Sequence, residues 1–278
     1  MIKKIVIPTD GYGLEDHVIR YVARAFPFAD FHVISVINIF ERGVQLTNLL
    51  YREMKEGAEK AVEHGRRILE EEGIHNATTR ILEGFPPKKI VDYAKRRDAD
   101  LIALRVYSRR STVSPQRMGS TIKGVLRSSN IPVLTLAEEC ERYPIRNILF
   151  ATCGTRKAET AKNFAILLSS VLKARLEVLC VIERDTSEEY ANRVVRNVEW
   201  KASFMNVETK GVVEEGDAVE RILEYADGND LVIIGTGKKI LFWHSIGHVT
   251  EAVCTHSPIP VLVVRSLKKR WKKRIYRR

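Results

Sequence analysis

An internal repeat is the feature that most limits how this chain of 278 residues can fold. Three segments of the first half recur in the same order in the second half. KKIVIPTDG (3–11) matches RNILFATCG (146–154), EGFPPKKIVDYA (83–94) matches EGDAVERILEYA (215–226), and SSNIPVLTL (128–136) matches THSPIPVLVV (255–264). The chain is therefore a tandem duplication, with domains predicted at 1–140 and 141–265 and a tail at 266–278.

Each copy alternates short β-branched runs with amphipathic segments of helical period. In copy one, helices are predicted near 14–26, 49–72 and 88–97 and from about 119. This alternation predicts right-handed crossovers, and hence an α/β fold of two tandem doubly wound five-stranded parallel-sheet domains. The predicted strands are Ile5–Ile7, His32–Ile39, Thr79–Leu82, Leu101–Leu104 and Val133–Leu136, then Ile148–Phe150, Leu176–Ile182, Glu208–Val213, Leu231–Ile234 and Val261–Val264.

The positive charge of the chain is concentrated at its end. Lys and Arg number 46 against 35 Asp and Glu, but residues 265–278 carry nine basic residues and no acidic one, leaving 37 against 35 over 1–264. A nearly neutral body argues against a folded nucleic-acid-binding face. The tail predicts docking to an anionic membrane surface or a nucleic acid, and the alternative is a solubilising terminus.

The remaining composition predicts a cytoplasmic protein. Its four cysteines occur singly, which indicates neither a zinc site nor a disulfide framework. The apolar run before Thr9 has only four residues, too short for a signal peptide, and no window approaches the roughly 18 apolar residues of a spanning helix.

The carboxyl ends of the first and fourth strands hold the candidate binding residues, because doubly wound sheets bind ligands there. Thr9 and Asp10 end the first strand. Asp10 either accepts hydrogen bonds from a ribose or binds a cation, or it caps a helix. Cys153, at the matching position, cannot take that role, because a neutral thiol is a weak acceptor.

After the fourth strand, each copy reaches a glycine at a predicted helix start. Copy one has Gly119-Ser120-Thr121, and copy two has Gly235 and Gly237 followed by Gly247. Backbone N–H groups at a helix N-terminus hold phosphate in many α/β proteins. An ordinary strand-to-loop turn is the alternative, since a short Gly-x-Gly is weak evidence.

Together these motifs resemble the universal stress protein family. The shared pattern is a first strand ending in Pro-Thr-Asp-Gly, a helix with Ile-Val-x-x-Ala before an Asp-Leu strand, and a closing Pro-Val-Leu strand. The resemblance implies an ATP or AMP site with a Gly-x2-Gly-x9-Gly-Ser/Thr loop, the first-strand Asp10 and the second-strand Val36, and Val181 in copy two. It also implies pairing of the last strands, within the chain as a pseudo-dimer or between chains as a homodimer.

Both copies depart from the family's nucleotide loop. In copy one, Val106 and Arg109 stand where the family has glycines. Arg105, Arg109, Arg110 and Arg117 either pair with phosphates or form a solvated basic loop. Copy two keeps Gly237 and Gly247, places Gly235 one residue late, and has Cys153 and His248 in place of Asp and Ser/Thr. Neither half is a complete site.

No catalytic or metal site is predicted. His244, His248, Glu251 and His256 are candidate metal ligands, but Gly247 lies at the predicted loop-to-helix transition, so their spacing need not place them on one helix face. No Ser/His/Asp or paired-carboxylate pattern supports hydrolysis beyond slow ATP turnover. The sequence thus predicts a non-enzymatic cytoplasmic stress-response or signalling module with degenerate adenine-nucleotide sites. The alternatives are an ATP/AMP binder or weak ATPase using one site, and a polyanion-docking module using the tail.

Overall fold

A computed structural model describes most of the chain. The chain divides into two compact units, Met1–Val133 and Leu134–Arg278. Each unit is treated by itself below. The residues that the structure describes are 2–11, 13, 15–40, 47–107, 118–155, 158–183, 187–236 and 246–266.

The first unit contains a parallel sheet with strand order β3-β2-β1-β4. Strand β1 pairs with β2 on one side and with β4 on the other. The elements are β1 (Lys4–Pro8), α1 (Asp16–Ala25), β2 (Asp30–Ile37), α2 (Asn48–Glu71), β3 (Thr78–Glu83), α3 (Pro86–Arg96), β4 (Leu101–Arg105) and α4 (Ser120–Ser128), with β5 (Val133–Leu136) at the division between units.

The second unit repeats this order, and its sheet runs β10-β9-β6-β7-β8. All of its described strand pairs are parallel. The elements are β6 (Asn147–Ala151), α5 (Ala158–Leu172), β7 (Arg175–Ile182), α6 (Glu188–Ser203), β8 (Thr209–Glu215), α7 (Ala218–Ala226), β9 (Leu231–Ile234), α8 (His248–His256) and β10 (Val261–Val263).

Helices cover both faces of each sheet. In the first unit α1 packs on α2 and α3 on α4, and in the second unit α5 packs on α6 and α7 on α8. The central strands are buried on both sides, so Ile5, Val6 and Ile7 of β1 are all fully buried. This burial explains why these strands read as continuous apolar runs. The predicted doubly wound α/β fold is confirmed, and each copy contributes five strands.

An aspartate ties the start of the first strand to the fourth in each unit, and it is fully buried in the first unit and partly exposed in the second. Asp100 Oδ2 accepts hydrogen bonds from the backbone nitrogens of Lys3 at 2.9 Å and Lys4 at 3.2 Å. Asp230 Oδ2 accepts from Arg146 N and Asn147 N, both at 2.8 Å. The Asp-Leu motif before each fourth strand is therefore a structural clamp at the amino edge of the sheet.

Among the helices that the structure describes, none combines the length and the apolar character that crossing a membrane requires.

Candidate functional site

A tight turn ends the first strand of copy one. Thr9 continues the strand ladder by donating its N–H to Ile34 O at 2.8 Å, and its Oγ1 accepts from Gly11 N at 3.1 Å. Gly11 has φ 81°, and a Cβ there would lie 2.6 Å from Ala61 Cβ of α2. Only glycine fits this turn. Asp10 lies between Thr9 and Gly11.

Copy two builds the same turn. Thr152 N donates to Leu179 O at 2.9 Å, and Gly154 N donates to Thr152 Oγ1 at 3.1 Å. Gly154 has φ 70°, and a Cβ there would overlap the side chain of Val194 on α6. The threonine and glycine of the repeated motif are thus explained by backbone geometry, and the residue between them differs, with Cys153 in place of Asp10.

The loop after β4 brings a helix N-terminus back to the sheet in copy one. Gly119 N donates to Val106 O at 3.0 Å, and Gly119 is the N-cap residue of α4. This confirms the predicted helix start. Arg109, Arg110 and Arg117 lie outside the described residues.

These two segments enclose a pocket of about 180 Å³ in the first unit. Five of the predicted site residues of copy one line it, and Ser120, although it begins α4, does not. Sequence reasoning missed Glu15, Pro86 and Ile90, which also line the pocket. The lining includes the predicted residues Thr9, Asp10, Val36, Gly119 and Thr121, together with Glu15, Arg105 and Tyr107.

Two carboxyl groups and one guanidinium meet in this pocket. Burial raises the pKa of Glu15 to about 8, helped by the charge and hydrogen bond of Asp10 and opposed by Arg105. At neutral pH Glu15 therefore keeps its proton and shares it with the Asp10 carboxylate. Glu15 Oε2 is buried and has no hydrogen-bond partner among the described residues. The pocket thus presents a neutral acid beside a carboxylate.

The helix-cap interpretation of Asp10 is wrong. The N-cap residue of α1 is Glu15, five positions later, and it makes no side-chain cap hydrogen bond. Asp10 is exposed and lines the pocket.

The raised pKa of Glu15 predicts how stability depends on pH. An ordinary glutamate titrates near 4.5 and Glu15 at about 8, so the folded chain holds an extra proton between these values. The free energy of unfolding therefore falls as pH rises through this window. We expect Glu15→Gln to flatten the fall when urea unfolding is compared at about pH 5 and about pH 8.5. Glu53→Gln, an exposed change on α2, serves as the control, and an equal slope in both variants would contradict the assignment.

Three predicted residues of copy two lie in the part of the chain that the structure describes, and they do not line the pocket that is described next to the turn after β6. Val181 is buried in β7, Gly235 follows β9 and accepts a hydrogen bond from Thr250 Oγ1 at 3.0 Å, and Gly247 is the N-cap residue of α8. A pocket of about 260 Å³ lies beside Gly154, but none of these three residues lines it. Gly237 lies outside the described residues.

Of the three candidate histidine ligands, His248 begins α8, His256 is engaged within that helix, and the third is not described. His256 Nδ1 bonds to Ala252 O at 2.9 Å within α8. His244 lies outside the described residues. Over the described ranges, no three His, Cys, Asp or Glu side chains form a group that could hold a metal ion.

The architecture defines the class of protein: a tandem pair of doubly wound α/β units with Thr-x-Gly turns at the carboxyl ends of their first strands. The sequence matches the model of the universal stress protein family twice, over residues 1–136 and 144–265. The chain belongs to the universal stress protein family.

Relatives match one copy, and a tandem structure matches both. A universal stress protein of Methanocaldococcus jannaschii is 28% identical over 146 residues, which cover 49% of this chain and 82% of the relative. A universal stress protein of Methanothermobacter thermautotrophicus is 26% identical over 144 residues, which cover 44% of this chain and 97% of the relative. The crystal structure of a universal stress protein from Archaeoglobus fulgidus superposes with a TM-score of 0.77 at 20% identity, covering 96% of this chain and 97% of the other. That likeness covers the fold of both copies.

Proposed function

We propose that this protein is a non-enzymatic stress-response module that binds an adenine nucleotide through copy one. The observation that carries the proposal is the convergence of Thr9, Asp10, Val36, Gly119 and Thr121 on one pocket at the carboxyl ends of β1, β2 and β4. Parallel α/β sheets bind ligands at this edge.

The chemistry of the pocket suits a nucleoside with a phosphate. The Asp10 carboxylate accepts hydrogen bonds from ribose hydroxyls, and the proton shared by Glu15 keeps the pair at a single negative charge. Arg105 and the N-terminus of α4 supply the positive potential that a phosphate requires. Glu15 Oε2 is left as an acceptor for a ligand donor.

The size of the pocket limits what the described residues enclose. At about 180 Å³ it is smaller than the roughly 300–1,000 Å³ of sites for drug-sized ligands. The described residues therefore accommodate part of a nucleotide, and the degenerate loop, with Val106 in place of a glycine, favours AMP over ATP.

Copy two is proposed to have lost this function. Cys153 replaces the acidic acceptor, and Val181, Gly235 and Gly247 do not line the described pocket of that copy. The proposal therefore assigns one nucleotide to each chain, held by copy one.

We expect Asp10→Ala to weaken AMP and ATP binding about tenfold or more, because it removes a charged acceptor from the pocket. Isothermal titration calorimetry on the full chain measures this directly. Cys153→Ala, at the matching position of copy two, is the control and should leave the affinity unchanged. Absence of binding by the unaltered protein, or equal affinity in the Asp10 variant, would overturn the proposal.

The docking function of the tail remains a prediction, since residues 267–278 lie outside the described residues. Cosedimentation with anionic vesicles and a nucleic-acid binding assay compare the two polyanions. Each is carried out at low and at physiological salt, with the full chain and with a chain that lacks residues 266–278. Loss of binding confined to the truncated chain would support the prediction, and equal binding by both chains would contradict it.

A further inference from the structure

A second pocket lies in copy two, between α5 and α6 and next to the turn that ends β6. Its volume is about 260 Å³. A lysine, an arginine and a glutamate line it beside hydroxyl groups. The residues that matter here are Lys162, Arg193, Glu159, Thr152, Thr155 and Tyr190.

Lys162 is the unusual member of this pocket, because it is only 7% exposed. Its ammonium group bonds to Asn197 Oδ1 at 2.8 Å and pairs with Glu159 Oε2 at 2.5 Å. An ammonium has three N–H donors, so one remains for a ligand. Burial lowers the pKa of Lys162, which the ion pair with Glu159 opposes and nearby Lys201 reinforces.

The fold itself does not require a lysine here. The turns Thr9–Gly11 and Thr152–Gly154 are equivalent, with an offset of 143 residues. The same offset aligns Lys162 of α5 with Ile19 of α1. Ile19 is 1% exposed and contributes to an apolar core. Burying a charge costs several kcal/mol unless it is compensated, so copy two has a costly residue at the position where copy one has a stabilising one.

The charges around the pocket do not balance. Glu159 is shared by two lysines, since Lys201 Nζ also lies 2.8 Å from Glu159 Oε1. Burial alone would raise the pKa of Glu159. The hydrogen bonds from both lysines outweigh this effect and lower that pKa, so the carboxylate is charged. No carboxylate among the described residues pairs with Arg193, which stacks on the ring of Tyr190 at 6.0 Å. Among the described residues, Lys162, Lys201 and Arg193 therefore set three cations against the one carboxylate of Glu159, an excess of two positive charges.

We propose that this pocket of copy two binds a small phosphate-bearing anion, held by Lys162 and Arg193 with the hydroxyl groups of Thr152 and Thr155. The two positive charges in excess match a dianion, and the hydroxyls supply further donors. The volume, just below that of drug-sized sites, selects a compact ligand. This site lies in the other copy from the nucleotide pocket, and the two pockets share no lining residue.

Calorimetric titration of the full chain with inorganic phosphate tests the site, with chloride at matched ionic strength as the blank. Lys162→Met and Arg193→Gln should each weaken phosphate binding about tenfold. Lys162→Met should remain folded, because Lys201 still pairs with Glu159. Asp10→Ala should leave phosphate binding unchanged, which separates this result from the nucleotide proposal.

Arg196→Gln is the matched control. Arg196 lies three residues after Arg193 on the same helix but lines a different groove, with Glu199 and Glu214. Equal weakening in the Arg193 and Arg196 variants would mean nonspecific attraction and would overturn the proposal, as would no phosphate binding beyond the chloride blank. A parallel titration with glycerol phosphate distinguishes the source: tighter binding than inorganic phosphate assigns the site to a phosphomonoester, and weaker binding assigns it to the free ion.

Discussion

Deleting residues 260–278 is expected to unfold the second unit and aggregate the protein. The deletion removes β10, which pairs with β9 through Val261–Val232, Leu262–Ile233 and Val263–Ile234. Its residues Val261–Val264 are at most 2% exposed. At about 1.5–3 kcal/mol for each buried aliphatic side chain, the loss reaches about 6–12 kcal/mol, comparable to the whole stability of a domain. The exposed edge of β9 would then pair with other chains.

Size-exclusion chromatography with light scattering, together with thermal unfolding, measures this effect. The control is a chain ending at Ser266, which keeps β10 and loses only the basic tail, and it should unfold like the full chain. A shorter chain that stays monomeric and unfolds cooperatively at the unaltered temperature would refute the assignment of β10 to the core. It would also count against the pseudo-dimer through the last strands, which remains a prediction.

Replacing Asp100 with alanine should lower the free energy of unfolding of the first unit by about 2–6 kcal/mol. The carboxylate is fully buried and accepts from Lys3 N and Lys4 N, so its removal leaves two backbone donors unsatisfied next to β1. Each unsatisfied buried donor costs about 1–3 kcal/mol. Urea unfolding followed by circular dichroism measures the change.

Two variants define the origin of that loss. Asp100→Asn keeps an amide oxygen as acceptor and should recover about half of the loss. Asp230→Ala removes the equivalent clamp of the second unit, where the carboxylate is partly exposed, and its cost should be smaller because water can replace it. Equal stability of Asp100→Ala and the unaltered protein would show that the clamp contributes nothing.

The fold was predictable because its signals are periodic and occur twice. All ten strands lie where the β-branched runs predict them, with ends that differ by at most two residues. His32–Ile39 was predicted too late, since β2 covers Asp30–Ile37: Asp30 joins the ladder through its backbone, by donating to Lys3 O at 2.7 Å. A side-chain pattern carries no signal for such a backbone bond.

The candidate sites were predictable only in part, because burial and charge balance depend on tertiary contacts. Asp10 and Gly119 stand out as motif residues, whereas Glu15 belongs to no motif and reaches the pocket only because α1 starts beside β1. Lys162 resembles any helical lysine in the sequence. Its burial depends on α6, whose contacts with α5 have no sequence signal beyond the amphipathic period.

The aspartate clamps lie at the amino edge of each sheet, and the pockets at the opposite edge. Mutation at the carboxyl edge is therefore not coupled to the bonds that hold the first strand in register. The two copies therefore differ at the carboxyl edge, where Cys153 corresponds to Asp10 and Lys162 to Ile19. They agree at the amino edge, where Asp100 and Asp230 make the same bonds. A protein engineer can exploit the same separation, by diversifying residues 9–15 or 152–162 in one copy while the other copy keeps its ligand.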